Sequence, residues 1–166
     1  MDILKLANEW AKDEIFSSKF FILFGLVFLA ASIGFWQLGK TETARAFIYP
    51  TLVAGILVSA VGIGLFFTNK SRLNNFEAAY QADPVAFVKA ELNRAEKTVG
   101  EFQTVVFKAI PIIIAIAALL IIFVDKPIWR AISITTIAMM AVILLVDSNS
   151  STRIDDYRKQ LEMVDK

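Results

Sequence analysis

Four apolar blocks decide what this chain can fold into: residues 20–38, 46–68, 109–124 and 128–146. A helix that crosses the roughly 30 Å hydrocarbon layer of a bilayer needs about 20 apolar residues, and each block meets or approaches that length. In hydrocarbon every backbone N–H and C=O must be satisfied within its own segment, so such blocks fold as helices. Arg130 is the one charged residue inside them, close enough to an end for its guanidinium to reach the interface. The third block is the shortest; Val105, Val106 and Phe107 extend it, with Lys108 placed to snorkel. The first block is expected to be retained rather than cleaved, because Asp13 and Glu14 dilute the basic flank that a signal peptide needs and Leu38-Gly39-Lys40 is a poor cleavage site. The expected fold is all-α: a polytopic membrane protein with four transmembrane helices and a small cytoplasmic helical bundle.

Direction follows from the basic residues. Lys5, Lys12, Lys19, Lys70, Arg72, Lys89, Arg94, Lys97, Lys108, Arg153, Arg158, Lys159 and Lys166 fall on one side of the four blocks, and only Lys40, Arg45, Lys126 and Arg130 on the other. Basic loops stay in the cytoplasm, so both termini are expected there, in a cell membrane compatible with a bacterial inner membrane. Trp36, Tyr49 and Trp129 mark one bilayer boundary, and Trp10, Phe16, Phe66 and Phe67 the other. The outer loops, 39–45 and 125–127, are very short.

Outside the spans the pattern becomes amphipathic. Val85, Val88, Leu92, Ala95, Val99, Phe102 and Val106 alternate steps of three and four, a heptad seam on a polar helix. Asp83-Pro84 supplies a cap and a first-turn proline to start it, and Pro111 is expected to kink the helix or begin a new one. Leu73, Phe76 and Tyr80, and in the tail Ile154, Tyr157, Leu161 and Val164, offer faces to meet the seam. Each large apolar side chain buried there contributes about 1.5–3 kcal/mol. Ile3, Leu6, Ala7, Trp10 and Glu14 outline an amphipathic helix expected to lie along the membrane surface. The organisation read from these patterns is an interfacial helix at 1–17, transmembrane helices at 18–68, a cytoplasmic hairpin at 69–108, transmembrane helices at 109–147 and a cytoplasmic helix at 148–166.

The chain has no cysteine and no histidine. Thiolate chemistry, disulfides and the commonest transition-metal ligands are therefore excluded, as is the usual general base near neutral pH. No ionisable group lies at membrane depth, where pumps and membrane enzymes place theirs. Ser32, Gln37, Thr51, Ser59, Ser133, Thr135 and Thr136 read as hydroxyls and amides bonded within or between helices. The carboxylate pairs Asp13/Glu14, Glu91/Glu96 and Asp155/Asp156 stand among lysines and arginines and read as solvated surface charge. No phosphate-binding glycine loop, nucleic-acid-binding pattern, cofactor motif or small-molecule substrate is evident. Small residues at contact spacing (Ala30 with Gly34, Gly55 with Ser59, Ala60 with Gly64, and Gly62) are candidates for close helix packing.

These features point to a non-enzymatic membrane protein that binds a protein partner, either an accessory subunit or an immunity-type protein against a membrane-targeting toxin. Val88, Leu92, Val99, Phe102, Tyr157 and Leu161 are the candidate docking residues, and Gly55, Ser59, Gly62 and Gly64 the candidate packing residues. The alternative is a self-associating channel or pore-forming effector, for which Ser133 and Thr136 share a helical face. Catalytic, cofactor and metal sites are not expected. The partners expected are the lipid bilayer and a protein, or a second copy of the chain.

Overall fold

The computed structural model describes residues 2–164, so Lys166, part of the charge bias above, lies outside the described residues. The elements are α1 (Ile3–Leu38), α2 (Glu42–Ala46), α3 (Ile48–Ala82), α4 (Pro84–Glu101), a π-helical segment (Phe102–Ala109), α5 (Ile110–Phe123) and α6 (Pro127–Glu162). Four continuous helical runs, 3–38, 42–82, 84–123 and 127–162, are long and apolar enough to cross a membrane. They run up, down, up and down. One end of the bundle carries both termini (the terminal end), and the other carries α2 and the turn at 124–126 (the loop end). A 36-residue helix such as α1 is about 54 Å long, well beyond the hydrocarbon thickness. The surplus of each helix projects at the terminal end, and the projecting parts pack on one another.

Local signals account for the helix ends. Asp83 caps α4 by accepting a hydrogen bond from Ala86 N–H at 2.9 Å, with Pro84 in the first turn, as the Asp-Pro pair implies. Asp2 caps α1 through Lys5 N–H and Thr41 caps α2 through Ala44 N–H. The 39–45 loop is thus partly helical. At the loop end Arg130 pairs with Asp125 at 3.0 Å, both well exposed.

Pro111 stands in the first turn of α5, so a new α-helix begins there, as expected, while the helical run itself stays unbroken. The proline has no N–H to donate, and its ring crowds the carbonyl four residues back, that of Phe107. The turns before it are wound wider, so Ile110 N–H bonds to Val105 O, five residues back, and the helix passes through the proline.

At 1–17 the structure departs from the expected interfacial helix. The segment is no separate helix on the membrane surface but the first half of α1, unbroken into the span. Its apolar face (Ile3, Ala7, Trp10, Ala11) is buried against Phe76 of α3, Phe87, Val88 and Ala95 of α4, and Ile154, Tyr157 and Leu161 of α6. A protein core covers that face more completely than an interface would. Trp10 accordingly lies inside this core rather than at the bilayer boundary.

The tightest contact is between α1 and α3, which meet backbone to backbone. A Cβ on Gly25 would stand 2.1 Å from Ser59 Oγ, 2.7 Å from Ser59 N and 3.0 Å from Gly55 O. A Cβ on Gly55 would meet Leu29, and one on Gly62 would meet Phe21 and Ile22, at 2.8–2.9 Å. Further toward the loop end, Ser32 Oγ donates to Ile48 O at 2.8 Å. Gly55, Ser59 and Gly62 are therefore packing residues, joined by Gly25, whereas Gly34 and Gly64 have open space around them.

Alanine at Gly25 or Gly62 should cost about 1–3 kcal/mol through overpacking, because backbone atoms lie among the close neighbours and a side-chain rotation cannot clear them. Gly34→Ala and Gly64→Ala should be neutral or slightly stabilising. The midpoint of thermal unfolding in mild detergent, followed by tryptophan fluorescence, checks the contrast.

Candidate functional site

Because α3 is drawn onto α1 and α5 packs along α6, a gap is left between α3 and the π segment. A cavity of about 790 Å³ fills the gap, within the range of small-molecule sites. Leu57, Val58, Val61 and Leu65 of α3 form one wall, and Phe102, Val105 and Val106 of the π segment face them. Met139 and Ile143 of α6 close the back. Leu57, Val61, Leu65 and Val105 are exposed, so the opening faces sideways, toward where lipid chains lie. A second, smaller cavity of about 290 Å³ continues between α3 and α6 toward the loop end, and shares Leu57 and Met139 with the first.

At the terminal end the cavity turns polar. Arg94 of α4 holds Glu91 in a two-pronged ion pair, with Nη2 at 2.5 Å from Oε2 and Nε at 3.1 Å from Oε1. Tyr157 Oη donates to the same Oε2 at 3.0 Å. The Arg94 guanidinium lies 4.0 Å from the centre of the Trp10 ring, which stacks on Tyr157 at 5.5 Å. One ion pair thereby ties α1, α4 and α6. Such burial is costly unless the remaining lone pairs and protons find partners; here a phenol and an indole face provide them. A second knot joins α6 to α1: Arg153 donates to Glu14 at 2.9 Å, Ser17 at 2.7 Å and Ser150 at 2.9 Å.

Burial, with the Glu91 charge beside it, pushes the Tyr157 hydroxyl far above the usual phenol range. Its neutral form is the one the fold favours. Stability from this group is present at all pH below about 10, the unfolded value, and is lost as pH rises above it.

Arg72 of α3 lines the same chamber and differs from Arg94 and Arg153. Its hydrogen bond goes to Asn69 Oδ1, at 2.8 Å on its own helix, and among the described residues it has no carboxylate within ion-pair distance. Desolvation and then the neighbouring Arg94 lower its pKa, against the pull of Glu91 and Glu14. Arginine titrates above about 12, so the group stays cationic. It lines the chamber without a fixed counter-ion among the described residues.

The structure draws the six proposed docking residues into one cluster. Val88, Tyr157 and Leu161 are buried in the core of the projecting bundle, and Leu92, Val99 and Phe102 pack against it half-buried. Of the seam, Val85 is left outside at 63% exposure. Ser133 and Thr136 do not line a common path: Ser133 is buried without a hydrogen-bond partner, while Thr136 faces the smaller cavity. Asp155 and Asp156 lie at the surface, where Asp155 meets Arg158 at 2.9 Å and Lys159 at 2.6 Å. Glu91 departs from the surface reading, being 8% exposed at the centre of the polar core, and Glu14 is likewise drawn in by Arg153. Their signal was positional. Glu91 stands three residues from both Val88 and Arg94, and Glu14 shares the helix face of Trp10.

No protein-family model, curated protein or solved structure matches this chain, so a functional reading rests on the geometry.

Glu91→Ala leaves Arg94 buried and uncompensated, and should cost about 3–5 kcal/mol. Trp10 emission should shift to longer wavelength as its stack loosens. For Tyr157, the alkaline absorbance difference at 295 nm between wild type and Tyr157→Phe should appear only together with unfolding, well above pH 10, and not as a separate earlier step.

Proposed function

We propose that this is a non-enzymatic membrane protein that binds an amphiphilic molecule, a lipid or lipid-like ligand, in the cavity between α3 and the π segment. The lysine and arginine bias favours a setting with both termini in the cytoplasm, so that the polar chamber lies at the headgroup level of the inner leaflet. The observation that carries the reading is the cavity's division into an apolar, laterally open slot and a charged chamber with a counter-ion-free arginine. A soluble polar ligand has no use for the slot, and a purely apolar one leaves the chamber unmatched.

The reading is tested by extracting the protein into polymer-bounded lipid particles, exchanging the surrounding lipid and measuring what stays bound by native mass spectrometry. One retained lipid per chain is expected. Leu65→Trp, which fills the slot from an exposed position, should abolish retention with a shift of less than about 0.5 kcal/mol in stability. Wild-type protein that exchanges all its lipid freely would remove the reading.

A second reading keeps a protein as the partner. The observation favouring it is that α5 packs mainly along α6 and its own π segment, while Ile112, Ile116, Leu119 and Ile122 are exposed on its other face. That face suits a helix of an accessory partner, a membrane-targeting toxin or a second copy of the chain. The mass of the particle, corrected for lipid, separates these cases: a ring of four or more copies favours the channel alternative, and a monomer or dimer favours capture of a different protein.

A further inference from the structure

Within the proposed lipid-binding reading, on which this inference rests, the charges of the chamber specify a headgroup. Four of the ionisable side chains near it are already engaged: Arg94 with Glu91, and Arg153 with Glu14. Two lining groups are not. Among the described residues, Arg72 has a side-chain hydrogen bond to Asn69 alone. Asp147, on α6 one turn before Ser150, is half-buried and takes part in none of the ion pairs or side-chain hydrogen bonds among the described residues. The two face one chamber from α3 and α6, yet they do not pair with each other. A half-buried guanidinium and a half-buried carboxyl group, each lacking a partner, carry a desolvation cost that a ligand offering phosphate to the one and ammonium to the other offsets.

We propose that the chamber binds a zwitterionic phospholipid whose headgroup carries a primary ammonium, the phosphoethanolamine class, with its phosphate on Arg72 and its ammonium on Asp147. A planar guanidinium matches phosphate oxygens in a two-pronged contact. The ammonium brings three N–H donors to a carboxylate, and the Ser17 and Ser150 hydroxyls line the chamber nearby. A quaternary ammonium has no N–H and is normally held by open aromatic faces; the Trp10 face is already covered by Arg94. An anionic headgroup without an amine satisfies Arg72 but leaves Asp147 facing a like charge. The acyl chains follow Leu65, Val61 and Leu57 down the slot, and the shared wall at Leu57 and Met139 lets one chain continue into the second cavity.

The test uses the full-length protein in lipid particles containing equal amounts of lipids with identical chains and different headgroups: phosphoethanolamine, its N-methyl and N,N-dimethyl forms, phosphocholine and phosphoglycerol. Native mass spectrometry should find retention falling stepwise with methylation, by roughly tenfold to a hundredfold from phosphoethanolamine to phosphocholine, as expected for loss of charged hydrogen bonds. Asp147→Asn should flatten that series, and Arg72→Gln should weaken every phospholipid. The headgroup series on wild-type protein decides the matter even where a variant fails to fold. Equal retention of all headgroups, or preference for phosphoglycerol, overturns the headgroup assignment while leaving the lipid-binding reading intact. No retained lipid of any kind overturns that reading itself. Displacement of the lipid by soluble glycerophosphoethanolamine at similar concentration would overturn the membrane lipid as the source of the ligand.

Discussion

The close approach of α1 and α3 sets the arrangement of everything else. Two helices can touch backbone to backbone only where side chains vanish from both, and Gly25, Gly55 and Gly62 provide that in one antiparallel register, with the Ser59 hydroxyl fitted over Gly25. In a bilayer there is little hydrophobic gain from pairing apolar helices, so small residues and close van der Waals contact drive association. The contact uses one side of α3. With α5 held by α6, α3 and the π segment are left unpacked against each other, and the lateral cavity between them is the geometrical consequence.

Beyond the membrane the balance changes, because water makes apolar burial favourable again. The projecting parts of α1, α3, α4 and α6 bury a continuous apolar cluster from Ile3 to Leu161. Within it sits a buried ion pair, Glu91 with Arg94, completed by Tyr157 and covered by Trp10. An apolar replacement of that pair can be at least as stable. Its directional bonds nevertheless fix how α4, α6 and α1 are rotated against one another, and this rotation presents Asp147 of α6 to the chamber that Arg72 of α3 also lines.

Much of the local structure was legible in the residues. Asp83-Pro84 starts a helix as capping chemistry requires, and the apolar blocks sit inside the four long helices. The heptad seam predicted a packed face and found one, but periodicity alone does not say whose surface covers it; Val88, Leu92 and Phe102 meet the chain's own helices. Pro111 marked the start of α5, but nothing in the residues foretold the π-helical segment before it, which absorbs the missing donor without a break. Trp10 and Glu91 misled for one shared reason. An aromatic residue before a span resembles an interfacial anchor, and a glutamate among basic residues resembles a surface charge, until a partner from a distant segment arrives. Tyr157 is 66 residues from Glu91 in sequence.

The sequence by itself determined that the chain is helical, that four segments are apolar enough to cross a bilayer, and that thiol and imidazole chemistry is absent. These are properties of composition and short-range pattern, and hydrocarbon enforces them segment by segment. Only the tertiary structure decided which glycines touch, which carboxylates are buried and which charges are left without partners. Gly25 and Gly64 are alike as letters in apolar runs, and Asp147 resembles any acidic residue at the end of a span. Their difference lies in what stands opposite, and that depends on long-range packing across helices.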